Sequence, residues 1–189
     1  MGIDVDERMM GRVLHLPISS VPGEGMALRA EVVGALQERR SSLVDAMSAA
    51  VRRAGLASLL EVGDVALERR LDGAARVALS VWTHSRPLEG AELEAVRRLG
   101  RAVGCTGAPL WRLLSAVQHA TRAGWEHAVE QALAVVEESC RPRLAARLVA
   151  ELSLETMELA GRVQAQLAAG YGEVVPPRGR MEPQGSTRG

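Results

Sequence analysis

Apolar residues recur every three or four positions through most of this chain, which is the spacing of amphipathic helices. Leu28, Val32, Leu36 and Leu43 follow this spacing and predict a first helix over residues 26–54. Four more helices are predicted over residues 65–83, from Gly90 to Gly104, from Pro109 to about residue 138, and after Pro142 to Gly170. The sequence contains neither a β-hairpin signature nor an internal repeat. It therefore predicts an all-α protein with about five main helices.

Turn residues separate these predicted helices. Gly55 suits the left-handed conformation that often follows the last helical residue. The carboxylate of Asp64 can accept the free amides of the next helix. Pro87 stops the second helix, and Pro109 opens the fourth, where its missing amide costs nothing. A short apolar segment, residues 56–62, connects the first two helices.

The two ends of the chain lack helical periodicity. Residues 1–25 contain several Pro, Ser and Gly residues and predict a flexible N-terminal arm. Residues 173–189 are rich in Pro, Gly and Arg and predict a disordered tail. We therefore expect a single helical domain over residues 26–172, which is long enough to bury a core of its own.

Composition agrees with a helical core and argues against several classes of partner. Phe is absent and only 2% of residues are aromatic, so Leu, Val, Ala and Met must form the core, and these residues suit helices better than sheets. All 23 basic residues are Arg, and 23 acidic residues balance them. This balance lacks the basic excess of most nucleic-acid-binding domains, so we expect no nucleic-acid partner.

The sequence also predicts a cytoplasmic protein without a membrane partner. The N-terminus is acidic and has no apolar run of the kind found in signal peptides. No stretch approaches the roughly 20 apolar residues of a membrane-spanning helix. Cys105 and Cys140 are far apart and have no CxxC spacing, so we expect reduced thiols.

Candidate catalytic or cofactor-binding residues are few. His119 and His127 are separated by about 80° around the fourth predicted helix and could face one pocket as metal or haem ligands. No Glu-x-x-His motif accompanies them, however, and no Gly-x-Ser-x-Gly motif marks a nucleophile. The sequence therefore predicts no enzyme, no cofactor and no metal site, with a haem at His119 or His127 as an alternative.

Arginine doublets and tryptophans are the other conspicuous residues. The doublets are at residues 39–40, 52–53, 69–70 and 97–98, and nearby Glu residues favour solvated helix faces with ion pairs inside each helix. An anionic partner, including DNA, is the alternative. Trp82, Trp111 and Trp125 are expected in the core, or alternatively in a ligand cavity or a subunit interface.

A motif around residues 99–125 carries a resemblance to a known family. Leu99-Gly100-Arg101 is followed by Gly107, Pro109-Leu110, Leu113-Leu114, Ala116, Arg122 and Trp125, and the last helix ends in Ala168-Ala169-Gly170-Tyr171. This run resembles the N-terminal sensor domains of RsbR-type stress regulators and PucR-type transcription regulators, which are common in actinobacteria. The likeness departs from the family pattern at Ala102, Val103, Thr106 and Val117, which suggests an altered pocket or partner.

The resemblance implies a globin-like helical bundle that holds no haem, dimerises and passes a signal to an output module. We therefore expect a non-enzymatic regulatory domain that acts as a homodimer, contacts another regulatory protein and responds to a small-molecule signal. The alternatives are a haem or small-ligand carrier and, more weakly, a DNA-binding regulator. The candidate interface or ligand-pocket residues are Trp111, Leu114, Trp125, Arg101 and Arg122.

Overall fold

Seven helices form the part of the chain that the computed structural model describes, residues 22–61, 65–139 and 142–175. These described ranges contain no β-strand, so the prediction of an all-α fold is confirmed. The helices are α1 (Pro22–Glu38), α2 (Arg40–Arg53), α3 (Ala57–Leu60), α4 (Leu67–His84), α5 (Gly90–Cys105), α6 (Leu110–Ser139) and α7 (Pro142–Val174).

The single helix predicted over residues 26–54 is wrong, because the chain turns at Arg39 between α1 and α2. The Arg39 carbonyl accepts a hydrogen bond from the Ser42 hydroxyl at 2.8 Å. Helix α1 buries its apolar residues in one cluster and α2 buries its own in another. Leu36 and Leu43 are seven residues apart, close to two helical turns, so the apolar spacing passes through the turn unchanged.

The predicted end of α2 at Gly55 and the predicted start of α5 at Gly90 are confirmed. Gly55 has φ 68° and follows α2, and Glu89 and Glu92 form a reciprocal capping box at the start of α5. Asp64 lies outside the described residues. The predicted end at Gly170 is wrong, because α7 continues to Val174.

The predicted end segments also differ from the described structure at their inner boundaries. Helix α1 begins at Pro22, inside the predicted flexible arm, and α7 covers the first two residues of the predicted tail. Residue 175 is a bend after α7, and the rest of both segments, residues 1–21 and 176–189, lies outside the described residues.

Two apolar clusters stabilise the bundle. The first joins α2, α3 and the beginning of α4 to α5, α6 and the end of α7, with Leu67, Leu113 and Leu167 at its centre. The second joins α1 and the end of α4 to α6 and the first half of α7, around Leu36 and Leu79. Val163 of α7 packs against both clusters, so α7 connects them.

Helices α5 and α7 pack with their backbones in direct contact, and two glycines make this possible. A Cβ atom at Gly100 would collide with the carbonyl of Leu167, and one at Gly170 would collide with the carbonyl of Arg97. We call this contact the α5–α7 seam. The Leu-Gly-Arg motif and the closing Ala-Ala-Gly-Tyr segment therefore meet in three dimensions, where each contributes one glycine.

Within the described residues, none of the helices is both long enough and apolar enough to cross a membrane.

Candidate ligand-binding cavity

A cavity of about 580 Å³ opens between α4 and α5. Unlike α5 and α7, these two helices scarcely touch each other. Several of the residues with which these two helices line the cavity are small: Gly73, Ala74 and Ala78 on α4, and Ala91 and Ala95 on α5. Pockets for small organic ligands commonly measure about 300–1,000 Å³. The cavity is therefore large enough to hold such a molecule.

The floor of the cavity is almost entirely apolar. Helix α2 contributes Leu43 and Met47, α6 contributes Val117 and Trp125, and α7 contributes side chains from both apolar clusters. Trp82 of α4 and Trp125 pack edge to face, with ring centroids 6.1 Å apart and planes at 74°. Such a floor would bind an apolar molecule by removing its surface from water.

Trp82, which lines the cavity, carries a buried polar atom without a partner. Trp82 is only 3% exposed, and its Nε1 is buried without a hydrogen-bond partner. Its backbone carbonyl, in contrast, accepts a hydrogen bond from Arg29 Nε at 2.7 Å. A buried donor without an acceptor costs about 1–3 kcal/mol, so the fold is destabilised at this N–H.

The charged residues of the cavity lie at its rim. The Arg86 guanidinium binds both carboxylate oxygens of Glu92, at 2.7 and 2.9 Å, and holds the pKa of that carboxyl below its ordinary value. Glu92 also accepts the amide of Glu89 at 2.8 Å as part of the capping box. Burial lowers the pKa of the Arg70 guanidinium. The Glu92 carboxylate is therefore engaged within the protein.

Only one of the five predicted interface or pocket residues lines the cavity. Trp125 does so, and Leu114 packs against the first apolar cluster. Trp111 is 67% exposed and lies fourteen residues before Trp125 on α6, about 21 Å along the helix axis. The two tryptophans therefore lie on separate parts of α6.

The two predicted arginines make ion pairs outside the cavity. Arg101 pairs with Glu94 and, at 2.7 Å, with Glu173 near the end of α7. Arg122 is highly exposed and pairs with Glu126 one turn further along α6, at 2.8 Å.

The histidines do not meet in the cavity. His119 is exposed, and His127 Nε2 lies 2.9 Å from the Ser42 hydroxyl on α2. Neither side chain lines the cavity. Within the described ranges, His, Cys, Asp and Glu side chains form no group of three or more that could hold a metal ion. Cys105 is exposed, and Cys140 lies outside the described residues.

Arginines of three doublets bind acidic partners on other helices or loops instead of in their own helices. Arg40 of α2 pairs with Asp72 of α4 at 2.8 Å, and Arg52 pairs with Glu68. Arg97 of α5 pairs with Glu173 of α7. The expectation of ion pairs inside each helix is therefore wrong for these three arginines, which connect neighbouring helices.

The small residues at the opening and the Trp82 indole N–H were not among the predicted site residues. A signal was present, because Ala74 and Ala78 on α4, and Ala91 and Ala95 on α5, each recur at four-residue spacing. The chain matches no protein-family model, and no curated protein or solved structure shows significant similarity to it.

Proposed function

We propose that this chain is a non-enzymatic sensor domain that binds an apolar small molecule in the cavity between α4 and α5. The observation that supports this proposal best is the cavity itself, because a volume of about 580 Å³ with an apolar floor is suited to binding a small molecule. The proposal agrees with the resemblance to RsbR-type and PucR-type sensor domains, which also implies a globin-like arrangement of the bundle.

A small apolar ligand is favoured over haem as the occupant. Haem in proteins is held by an axial side chain such as His, Cys, Met or Tyr. His119 and His127, the ligands considered from the sequence, both lie away from the cavity, and Met47, which lines it, is packed within the first apolar cluster. An uncharged organic molecule needs no such ligand.

Helix α7 provides a physical connection between the cavity and the protein surface. Its inward side lines the cavity with Thr156, Leu159 and Val163. Its outward side presents Leu154 and Met157, which are 65% and 64% exposed. A ligand that shifts α7 would therefore change the position of two large apolar side chains on the surface.

The outward side of α7 fits a second copy of the same chain. The exposed apolar residues on this side are Ala146, Ala150, Leu154, Met157, Gly161 and Ala165, and we call them the stripe. Their sizes run small, small, large, large, small, small. The intervals between them are 4, 4, 3, 4 and 4 residues, so the pattern is the same from either end of α7. A two-fold axis at its midpoint would set Leu154 against Met157 of the second copy, and the small residues against each other. We propose a homodimer through this stripe.

Binding in the cavity can be tested with phenylcyclohexane, an uncharged apolar probe. We expect saturable binding to the full chain by NMR, and loss of binding in Ala78→Phe, because the new ring would occupy the cavity. Ala30→Phe is the matched control, since Ala30 is exposed on α1 outside the cavity. Equal binding to wild type and Ala78→Phe would contradict a ligand site between α4 and α5.

The dimer can be tested by sedimentation equilibrium. We expect twice 20.2 kDa for the wild type and a monomer for Leu154→Glu. Met26→Glu is the control, because Met26 is 74% exposed on α1 and lies outside the stripe. If Trp111→Ala is a monomer and Leu154→Glu is still a dimer, the interface lies at the beginning of α6 instead.

The connection between the two sites predicts a reciprocal effect. If the probe changes the dimer dissociation constant, dimerisation must change probe affinity by the same factor. If the protein binds phenylcyclohexane but its monomer–dimer dissociation constant does not change, the sensor mechanism is contradicted, although both binding sites remain.

A further inference from the structure

The unpartnered indole N–H of Trp82 indicates what kind of ligand the cavity would select. Most polar groups that a protein buries are hydrogen-bonded. This donor is buried without an acceptor on a side chain that lines the cavity. A purely hydrocarbon ligand would leave the N–H without an acceptor, whereas a ligand with an acceptor atom would form a hydrogen bond with it.

The surroundings of Trp82 favour an uncharged acceptor over a carboxylate. Leu88, Trp125 and Leu159 are its apolar neighbours in the cavity lining and the second cluster. The Arg29 guanidinium, which donates to the Trp82 carbonyl, is already paired with Glu155. A buried carboxylate without a cation is strongly disfavoured, because desolvation of the charge is not compensated.

Arg69 and Arg70, the cationic residues that line the cavity, are remote from this end, and Arg86, which is closer to Trp82 in the chain, already binds Glu92. Arg69 and Arg70 lie at the beginning of α4, and Trp82 is twelve residues after Arg70 on the same helix. At 1.5 Å per residue this is about 18 Å along the axis. A compact ligand whose acceptor reaches Trp82 would therefore not place that same group at these arginines.

We infer that the cavity selects apolar small molecules that carry one uncharged acceptor oxygen, such as a ketone or ester carbonyl, which accepts a hydrogen bond from Trp82 Nε1. This inference rests on the proposed ligand-binding function and specifies the chemical class of its ligand. The carbonyl oxygen is the acceptor, the indole N–H is the donor, and the carbon skeleton fills the apolar part of the cavity.

A matched pair of probes tests the inference: 4-phenylcyclohexanone, which has the acceptor, and phenylcyclohexane, which lacks it. The chain contains three tryptophans, so its indole N–H signals can be assigned by ¹⁵N NMR from the three Trp→Phe variants. We expect the ketone to move the Trp82 indole proton downfield on binding. Phenylcyclohexane should bind without that shift, because it offers no acceptor.

The variant Trp82→Phe removes the donor and keeps an aromatic ring. A net hydrogen bond corresponds to about a twofold to tenfold change in affinity. We expect the ketone to lose affinity within that range in Trp82→Phe, while phenylcyclohexane loses less. The control Trp111→Phe should leave both affinities unchanged, because Trp111 is exposed and lies outside the cavity. The wild-type indole shift provides a readout that does not depend on how well the variant folds.

The outcomes distinguish this inference from the proposed function. If both probes bind but the ketone leaves the Trp82 signal unshifted, or both lose the same affinity in Trp82→Phe, the acceptor class is wrong and the cavity remains a ligand site. If neither probe binds, the proposed ligand-binding function itself is contradicted.

Discussion

The two flanks of α5 show opposite uses of small residues. On the α7 side, Gly100 and Gly170 let two backbones meet, because neither position carries a Cβ atom. On the α4 side, Ala91 and Ala95 line the cavity together with Gly73 and Ala78, yet those helices stay apart. Small side chains therefore produce close contact on one flank and empty volume on the other.

The difference follows from what holds each neighbour in place. Helix α4 is drawn toward α2 by the Arg40–Asp72 and Arg52–Glu68 ion pairs and by the buried side chains of Leu71 and Ala75. Helix α5 is held on the opposite side by the α5–α7 seam. Each helix is stabilised by a partner on its far side, and the space between them is not closed. The seam is expected to be the more rigid flank, because dense packing permits few alternative arrangements.

Adding a methyl group to the seam is the largest perturbation that we predict. Gly170→Ala should destabilise the fold by about 3 kcal/mol, since α5 and α7 must separate to relieve a backbone collision. Chemical denaturation of the two proteins measures this difference. Gly100→Ala adds a Cβ atom to the same contact from the α5 side and should have a similar effect.

The control for the seam is a glycine in open space. A Cβ atom at Gly34 of α1 would meet no atom within 4 Å. Gly34→Ala should therefore be neutral or stabilising by up to about 1 kcal/mol through helix propensity alone. If Gly170→Ala were as harmless as Gly34→Ala, the backbone contact between α5 and α7 would not exist as described.

Filling the cavity should have the opposite sign and a smaller magnitude. Ala78→Leu adds apolar atoms where α4 faces α5, and cavity-filling substitutions commonly add about 0.5–2 kcal/mol of stability. We expect a gain of about 1 kcal/mol in chemical denaturation, together with loss of phenylcyclohexane binding. Ala30→Leu, on the exposed side of α1, should give neither effect. Destabilisation by Ala78→Leu would indicate that the two helices are already packed there.

The sequence predicted helices better than it predicted their contacts. The end of α4 and the start of α6 followed from Pro87 and Pro109, which act locally, whereas α4 begins at Leu67, two residues later than predicted. The turn at Arg39 was missed because the seven-residue step across it preserves the apolar spacing. Apolar periodicity shows which face of a helix is buried, but it carries no information on which helix covers that face.

The candidate site was the least predictable part. Gly100 and Gly170 were both in the family-like motifs, but they are 70 residues apart and their contact appears only in three dimensions. Trp125 was expected in a pocket or interface, and it does line the cavity. The cavity exists because small side chains leave its volume unfilled. The Trp82 N–H lacks a partner because the residues packed around it offer no acceptor. Neither property is encoded in the spacing of apolar residues.

The smallest predicted effect concerns the ion pair at the cavity rim. The pKa of Glu92 is lowered from 4.5 in the folded protein, chiefly by its hydrogen bonds to Arg86. A lowered folded-state pKa means that the pair stabilises the fold fully above the unfolded value, and that this stabilisation is lost as pH falls below about 4.5. Glu92→Gln should cost about 1 kcal/mol at pH 7, because the side chain is only 20% exposed.

The charge effect can be separated from the helix cap by pH. Gln also serves in a capping box, so Glu92→Gln should keep the hydrogen bond from the Glu89 amide. The stability difference between wild type and variant should therefore shrink as pH falls from 7 to about 3. The exposed Arg122–Glu126 pair is the control, since Glu126→Gln should leave stability nearly unchanged. A Glu92→Gln difference that is equally large at pH 3 and pH 7 would mean that Glu92 stabilises the start of α5 by its shape and cap, and that α5 is oriented toward the cavity by the seam alone.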